Sequence, residues 1–347
     1  MDYRIIDIHN KSEIEEIKSF LCSMNLKYEN NIEYTIALLE DEKIIATGSI
    51  SGNVLKCIAV DARKQGEGIA AKIVSILVRE QYKKGRTKNF LFTSPKKASQ
   101  FISLGFKLLA VAEPAYALLE MGLNGIDQYL QDLKKYLLDE TAGKTISAII
   151  INANPFTLGH QYLVKKASLE SDAVFLFVVR EEKSLFPFKT RYSLISQGCN
   201  TFKNVKVIDG GDYIISNATF PTYFNRESES EIIIGQATLD AKIFIRYIVP
   251  TLKINRRYVG NEPYCATTSN YNHVLKKLLP SMRVEVKEIN RFEVEGSAVS
   301  ASTVRALIKK KAFKEIRKIV PSSTYNFLIS KDAVPIIEKI IASDSRH

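Results

Sequence analysis

Cysteine and histidine are both scarce in this 347-residue chain, with four of each. The cysteines (Cys22, Cys57, Cys199, Cys265) stand far apart and form no Cys-x-x-Cys pair. That spacing argues against a disulfide framework and a structural zinc site, and it fits reduced thiols in a cytoplasm. Two histidines, His9 and His347, lie near the ends of the chain, so no His-rich metal site is expected. No run of about 18 apolar residues occurs, and the N-terminus lacks a basic stretch followed by an apolar one, so neither a membrane span nor export is expected. Internal repeats and low-complexity tracts are also missing. What is present, 46% hydrophobic and 25% charged residues, describes a globular protein long enough for two domains with their own cores. A formal charge of +11 raises the question of nucleic acid. The Lys and Arg are spread along the chain, however, and the densest cluster, Lys309, Lys310 and Lys311, continues a helix-like pattern as a solvated face. With no aromatic-interleaved basic repeat, a phosphate-rich small molecule or an acidic protein partner accounts for the charge as well, and nucleic acid is not expected.

The chain is organised around residues 146–171. An apolar run (Ile146, Ala148, Ile149, Ile150, Ile151) breaks at residues 152–155, and a helical pattern (Leu163, Val164, Ala167) begins within a turn of Gly159 and His160. This reads as strand, tight turn, helix. The turn then lies at the carboxyl end of a buried strand, where the helix N-terminus offers free N–H groups and a positive dipole end to an anion. Gly159 would let a phosphate approach the backbone, and His160 would touch it. An ordinary turn with a polar surface histidine is the alternative at this point.

Upstream, residues 3–8 alternate like a strand, and Ser12 with Glu15 forms a capping box before a helix with Ile14, Ile17, Leu21 and Met24 on one face. Strand-like runs at 34–40, 44–51 and 54–60 follow as a meander, then a Gly-containing turn and a helix with Ile69, Ile73, Ile76 and Leu77 on one face. A strand at 89–93, a short helix at 96–104 and strands near 106–112 and 116–121 complete a small α+β domain. That order, with Arg63-x-x-Gly66-x-Gly68, resembles the GNAT acetyltransferase fold, in which the corresponding loop cradles the pyrophosphate of coenzyme A. Two glycines at a strand-to-helix turn suit such an anion nest. Residues 98–106 also resemble a later motif of that family, but Ile102 stands where many members carry a Tyr acid. An Ile cannot protonate a leaving thiolate. The resemblance therefore implies binding of a CoA-like arm by Arg63, Gly66 and Gly68 without acetyl transfer from it, or a fold retained for packing.

A helical pattern at 126–138 leads into a polar break at 139–144. From Ile146 onward strands and helices alternate: strand 173–179, helix 190–198, strand 205–209, a long helical stretch ending near 248, strand 257–259, helix 271–279, strand 284–289. Alternation of this kind argues for a mostly parallel sheet covered on both faces, with ligands outside the carboxyl ends of its strands. The expected fold is thus α/β: a GNAT-like α+β domain over 1–125, a linker helix over 126–144 and a Rossmann-like parallel-sheet domain over 145–347.

Three loops should meet at that edge: Asn154, Pro155, Phe156, Thr157, Gly159 and His160; then Gly260 with Glu262; then Ser300, Ser302, Thr303 and Arg305, which open a helix. Ser300 or Ser302 could simply cap that helix. Hydroxyls, free N–H groups and an Arg in one turn also make a polyphosphate clamp. The first and third loops together resemble the T/HxGH and ISSTxxR signatures of the nucleotidyltransferase superfamily, which transfers an adenylyl group from ATP. Thr157 stands where many relatives have His, and Ser302 replaces a Thr. The resemblance implies that His160 and Thr157 hold the α and β phosphates, that Arg305 stabilises pyrophosphate and that Mg²⁺ bridges oxygens. Glu262 is a candidate ribose or adenine contact, and Arg191, at a helix start, either reaches the nucleotide or lies on the surface.

The domain order, with residues 184–191, 211–224 and 258–264, further resembles the citrate lyase ligase family. That implies ATP-dependent acetylation of the thiol prosthetic group on an acyl-carrier subunit, with acetate passing through acetyl-adenylate and release of AMP and diphosphate. Residues 211–224 would either shape the acetate or thiol pocket or form aromatic core. A nucleotide-coenzyme adenylyltransferase, of phosphopantetheine or nicotinamide nucleotide type, and a protein N-acetyltransferase with a regulatory nucleotide-binding domain are the alternatives.

Overall fold

The computed structural model describes residues 3–29, 31–180, 184–216, 218–220 and 230–343. The chain divides into two units, Met1–Gln128 and Tyr129–His347.

In the first unit, β1 (Tyr3–Ile6), β2 (Tyr34–Glu40), β3 (Lys43–Ser51) and β4 (Val54–Val60) form an antiparallel meander. Helix α1 (Lys11–Ser23) begins on Asn10, whose side chain accepts N–H bonds from Ser12 and Glu13 at 3.0 and 3.4 Å. The expected Ser12 cap is therefore displaced by two residues: an Asn one step before the helix satisfies the free N–H groups first. Helix α2 (Ile69–Lys83) buries Ile69, Ile73, Ile76 and Leu77 and carries the chain across to β5 (Lys88–Thr93), which pairs with β4 in parallel. Such a crossover needs a helix-length connection. The β4–β5 pairing covers only Val54 with Phe90 and Leu55 with Leu91, after which the two strands part. Helix α3 (Ala98–Ile102) and strands β6 (Lys107–Ala112) and β7 (Tyr116–Gly122) complete the sheet in the order β1-β2-β3-β4-β5-β7-β6, the α+β arrangement expected of a GNAT-like domain. Helix α4 (Ile126–Lys134) ends four residues short of the expected position.

The second unit is built on five parallel strands in the order β10-β9-β8-β11-β12: β8 (Ile146–Ile151), β9 (Ala173–Val178), β10 (Val205–Asp209), β11 (Arg256–Gly260) and β12 (Glu285–Ile289). Neighbouring residues along a strand point to opposite faces, and both faces are apolar. On β9, Phe175 and Phe177 enter one core while Val174, Leu176 and Val178 enter the other. Helices α5 (Leu158–Leu169) and α6 (Phe188–Gly198) cover the second of these cores. Helix α7 (Ser230–Ile243), a π turn at Phe244–Ile248, α8 (Val249–Leu252) and α9 (Ala266–Leu278) cover the first. The π turn precedes Pro250, which has no N–H to continue a regular α ladder. A two-stranded ribbon, β13 (Glu293–Val294) and β14 (Ser297–Ala298), leads into α10 (Ala301–Lys309), and α11 (Phe313–Ile319), α12 (Ser322–Leu328) and α13 (Val334–Ala342) follow. Helix α10 stops at Lys309 and Lys311 takes a positive φ of 55°, so the triple-lysine segment ends the helix where a continuation was expected. Among the described residues no helix is long and apolar enough to cross a membrane.

Candidate active site

The loop leaving β8 turns through Ala153 at a φ of 50° and a cis Asn154–Pro155 peptide before entering α5. Thr157 caps that helix. Its hydroxyl accepts the His160 backbone N–H at 3.4 Å, and its own backbone N–H donates to His160 Nδ1 at 3.1 Å. This reciprocal pair is a capping box in which His takes the place usual for Glu or Gln. It also fixes the tautomer. Since Nδ1 accepts, the hydrogen-bond pattern assigns the proton of the neutral ring to Nε2, which is left as a donor.

Two further contacts hold the imidazole. Thr157 Oγ1 lies 2.9 Å from Nδ1, and the ring stacks on buried Phe156 with centroids 5.9 Å apart and planes 16° apart. The Phe156 carbonyl in turn accepts from Thr324 Oγ1 at 2.8 Å. Burial first, and the Arg291 charge second, push the His160 pKa down to about 4. As a residue His160 is half-buried. His160 is therefore a neutral donor at physiological pH. Thr157 is only 1% exposed and its hydroxyl is engaged with the imidazole, so it orients His160 and is not placed as a direct phosphate ligand.

Ser300, not Ser302, caps α10, accepting the Thr303 N–H at 3.0 Å. The hydroxyls of Ser302 and Thr303, both exposed, lie 2.9 and 2.8 Å from the Ser300 hydroxyl. Two contacts bring this helix start against that of α5. Arg305 is buried and donates to the Asn154 carbonyl. A Cβ placed on Gly159 would lie 3.0 Å from the Val299 carbonyl oxygen. Gly159 thus sits under the close approach of the second motif, where the sequence suggested room for a phosphate. Asn154 is similarly structural in its visible contacts, its side-chain oxygen accepting the Phe186 N–H at 2.9 Å, and Pro155 is buried beside it.

The second of the three loops follows β11. Exposed Gly260 donates nothing to a ligand through a side chain, and its carbonyl accepts from Asn272 at 2.9 Å. Glu262 accepts the N–H groups of Tyr264 and Cys265 at 3.0 and 3.1 Å and pairs with Arg291. Its carboxylate is committed to the protein, in place of the expected reach toward ribose or adenine. Arg191, expected on the surface or at the nucleotide, is fully buried: Nε donates to the Phe186 carbonyl at 2.9 Å and Nη1 to those of Asn152 and Val179 at 2.9 and 2.8 Å. It ties together the ends of β8 and β9 and the start of α6. Arg191, between Thr190 and Tyr192, gave no sequence signal for this, because the acceptors are main-chain carbonyls and two of them come from distant segments.

Of residues 211–224, Asn217 and residues 221–224 lie outside the described residues. Most of the rest is core: Tyr213, Ile214, Ile215 and Phe220 are buried, and Asp240 on α7 accepts from the Ile215 N–H at 2.7 Å, the Thr219 hydroxyl at 2.7 Å and the Tyr271 hydroxyl at 2.8 Å. Burial raises the Asp240 pKa in spite of these bonds.

In the first unit, Gly66 and Gly68 take positive φ values of 93° and 75°, the conformation an anion nest uses, ahead of α2. Arg63 is 87% exposed and forms a two-point pair with Asp61, with Nε to Oδ1 at 3.1 Å and Nη2 to Oδ2 at 2.7 Å. Ile102 is 46% exposed.

Residues 146–328 match the family model described as the citrate lyase ligase C-terminal domain. The [citrate [pro-3S]-lyase] ligase of Klebsiella pneumoniae is 37% identical over 322 residues, covering 92% of this chain and 93% of its own. The chain belongs to the citrate lyase ligase family. A second member, the [citrate [pro-3S]-lyase] ligase of Escherichia coli K12, is 35% identical, covering 89% of this chain and 88% of its own. A solved GNAT-family acetyltransferase from Staphylococcus aureus Mu50 covers 35% of this chain and 99% of its own, with 18% identity and a TM-score of 0.30. In this ligase family member, the matched C-terminal region contains both capped helix starts and His160.

Proposed function

We propose that this chain is an ATP-dependent, AMP-forming acid–thiol ligase that activates acetate as acetyl-adenylate and acetylates the thiol prosthetic group on the acyl-carrier subunit of citrate lyase. The observation that carries the site assignment is the joint of two helix N-termini at the carboxyl edge of the parallel sheet, with a neutral His160 whose free donor is Nε2. Helix N-termini present partial positive charge and unpaired N–H groups, which suit a triphosphate.

In the first step an acetate oxygen attacks the α phosphorus of ATP, the bond to the bridging oxygen breaks, and diphosphate leaves. Charge grows on the equatorial oxygens and on the departing group. His160 Nε2–H and the N–H groups at the start of α5 meet the first. Those at the start of α10, with the hydroxyls of Ser302 and Thr303, meet the second, and such preformed donors act mainly by position and electrostatics. Arg305 fixes the α10 start against Asn154, and Thr157 fixes the imidazole. In the second step the thiol sulfur attacks the acetyl carbon, its proton is lost to solvent or base, and AMP leaves.

Mg²⁺ belongs to this scheme as part of the nucleotide substrate, bound to phosphate oxygens. Among the described residues no group of three ligating His, Cys, Asp or Glu side chains is assembled to hold it as a resident ion. For a CoA-like prosthetic arm, the parted β4 and β5 strands with the Gly66–Gly68 turn are a suited site in the first unit. Exposed Ile102 offers no acid there, consistent with binding rather than acetyl transfer. The net charge of +11 favours an acidic carrier. Exchange of labelled diphosphate into ATP that requires acetate tests the first step, and exchange without acetate or none at all contradicts it.

A further inference from the structure

Arg291 is the residue of this site that the motifs do not contain. It follows β12, at the same carboxyl edge as the other three loops. Its neighbour Phe292 packs on Tyr162 of α5 with ring centroids 5.3 Å apart, and the Phe292 carbonyl accepts the Val299 N–H at 2.9 Å. Val299 is the residue whose carbonyl closes on Gly159. Arg291 is thereby fixed between the α5 start and the ribbon that leads into α10. On its other side it reaches the loop after β11: Nε donates to the Asn261 carbonyl at 3.1 Å, Nη2 pairs with Glu262, and the guanidinium lies 5.2 Å from the Tyr264 ring centroid. Among the described residues, Nη1 makes no hydrogen bond.

We propose that Arg291 is a polyphosphate-binding residue held ready by Glu262, and that the triphosphate of ATP competes with the Glu262 carboxylate for its guanidinium. The inference rests on the assignment of ATP to the His160 site. A planar guanidinium with Nη1 unused has donors left for a second anion, and phosphate oxygens take such forks in two-point geometry once Nη2 is shared. Glu262 lowers the cost of holding the cation half-buried before nucleotide arrives, and it remains anchored afterwards by the Tyr264 and Cys265 N–H groups. The influence of the Arg291 charge on the His160 ring agrees with this position.

Calorimetric titration of the full-length protein with ATP and with AMP tests the proposal, AMP being the control that lacks the β and γ phosphates. Arg291→Gln should weaken ATP binding about tenfold or more while AMP binding stays near wild type, since a charge-assisted pair is lost. Glu262→Gln keeps an acceptor for the two N–H groups and removes the competing charge, so ATP should bind more tightly. The His160 ring should titrate higher in Arg291→Gln, followed by NMR of its ring protons. Unchanged ATP affinity in Arg291→Gln, equal losses for ATP and AMP, or weaker ATP binding in Glu262→Gln overturns the proposal. If Arg291→Gln does not fold, Arg291→Lys and Glu262→Gln decide by the same comparison. Wild-type protein that binds no ATP overturns the underlying site assignment itself, a result distinct from a variant that matches wild type.

Discussion

His160 combines three roles that the sequence shows only as one letter: it closes a capping box, stacks on Phe156 and leaves Nε2–H as a donor. Replacing it with Ala removes the donor, and losses of about 10²- to 10³-fold in turnover are usual for such a group. Circular dichroism should remain that of the wild type, so inactivity would not come from unfolding. The ring also sets a pH dependence. In the unfolded chain it titrates at its ordinary value of 6.5, and in the folded protein at about 4. Between those values the unfolded state binds more protons, so stability is complete above the unfolded value and declines as pH falls toward 4. The His160 ring-proton shifts should accordingly stay flat from pH 8 to 5.5, and an inflection near 6.5 would contradict a packed, neutral imidazole. The strand, turn and helix around Gly-His were legible. That Thr157 acts through the imidazole was not, because the reciprocal bond depends on the fold of one turn.

At the scale of elements, the site is a joint between the starts of α5 and α10, and its tolerances are those of packed backbone. Gly159→Ala would press a methyl to 3.0 Å from the Val299 carbonyl oxygen. The α10 start must give way, so turnover should fall more steeply than thermal stability, as measured by parallel assays of activity and melting. Arg191→Met leaves two buried main-chain carbonyls and one partly buried one without this donor. Each buried group left unsatisfied costs about 1–3 kcal/mol, and the melting temperature should drop by several degrees or more. A melting temperature equal to the wild type would contradict the place of Arg191 as the tie between strand ends. The strands and helices around this joint were readable because a parallel sheet buried on both faces writes near-continuous apolar runs, as in β8 and β9. The starts of α6 and α9 were set two and five residues too late, since Phe188 and Ala266–Asn270 carry little helical apolar periodicity.

For the whole molecule, the order of the two units was legible, since a mixed sheet with a Gly-containing turn and a parallel sheet with paired motifs leave different periodicities. Arg291 and the Glu262 pairing were not, because ion pairs across loops have no fixed sequence spacing. The proposed activity joins ATP, acetate and a carrier-borne thiol. The most direct measurement is incubation of the full-length protein with ATP, labelled acetate and deacetylated citrate lyase, following label and nucleotide products together. Label should enter the acyl-carrier subunit in step with release of AMP and diphosphate, and lyase activity should return. An unlabelled carrier in a lyase that chemical acetylation can reactivate, or ADP and phosphate as products, would contradict the account.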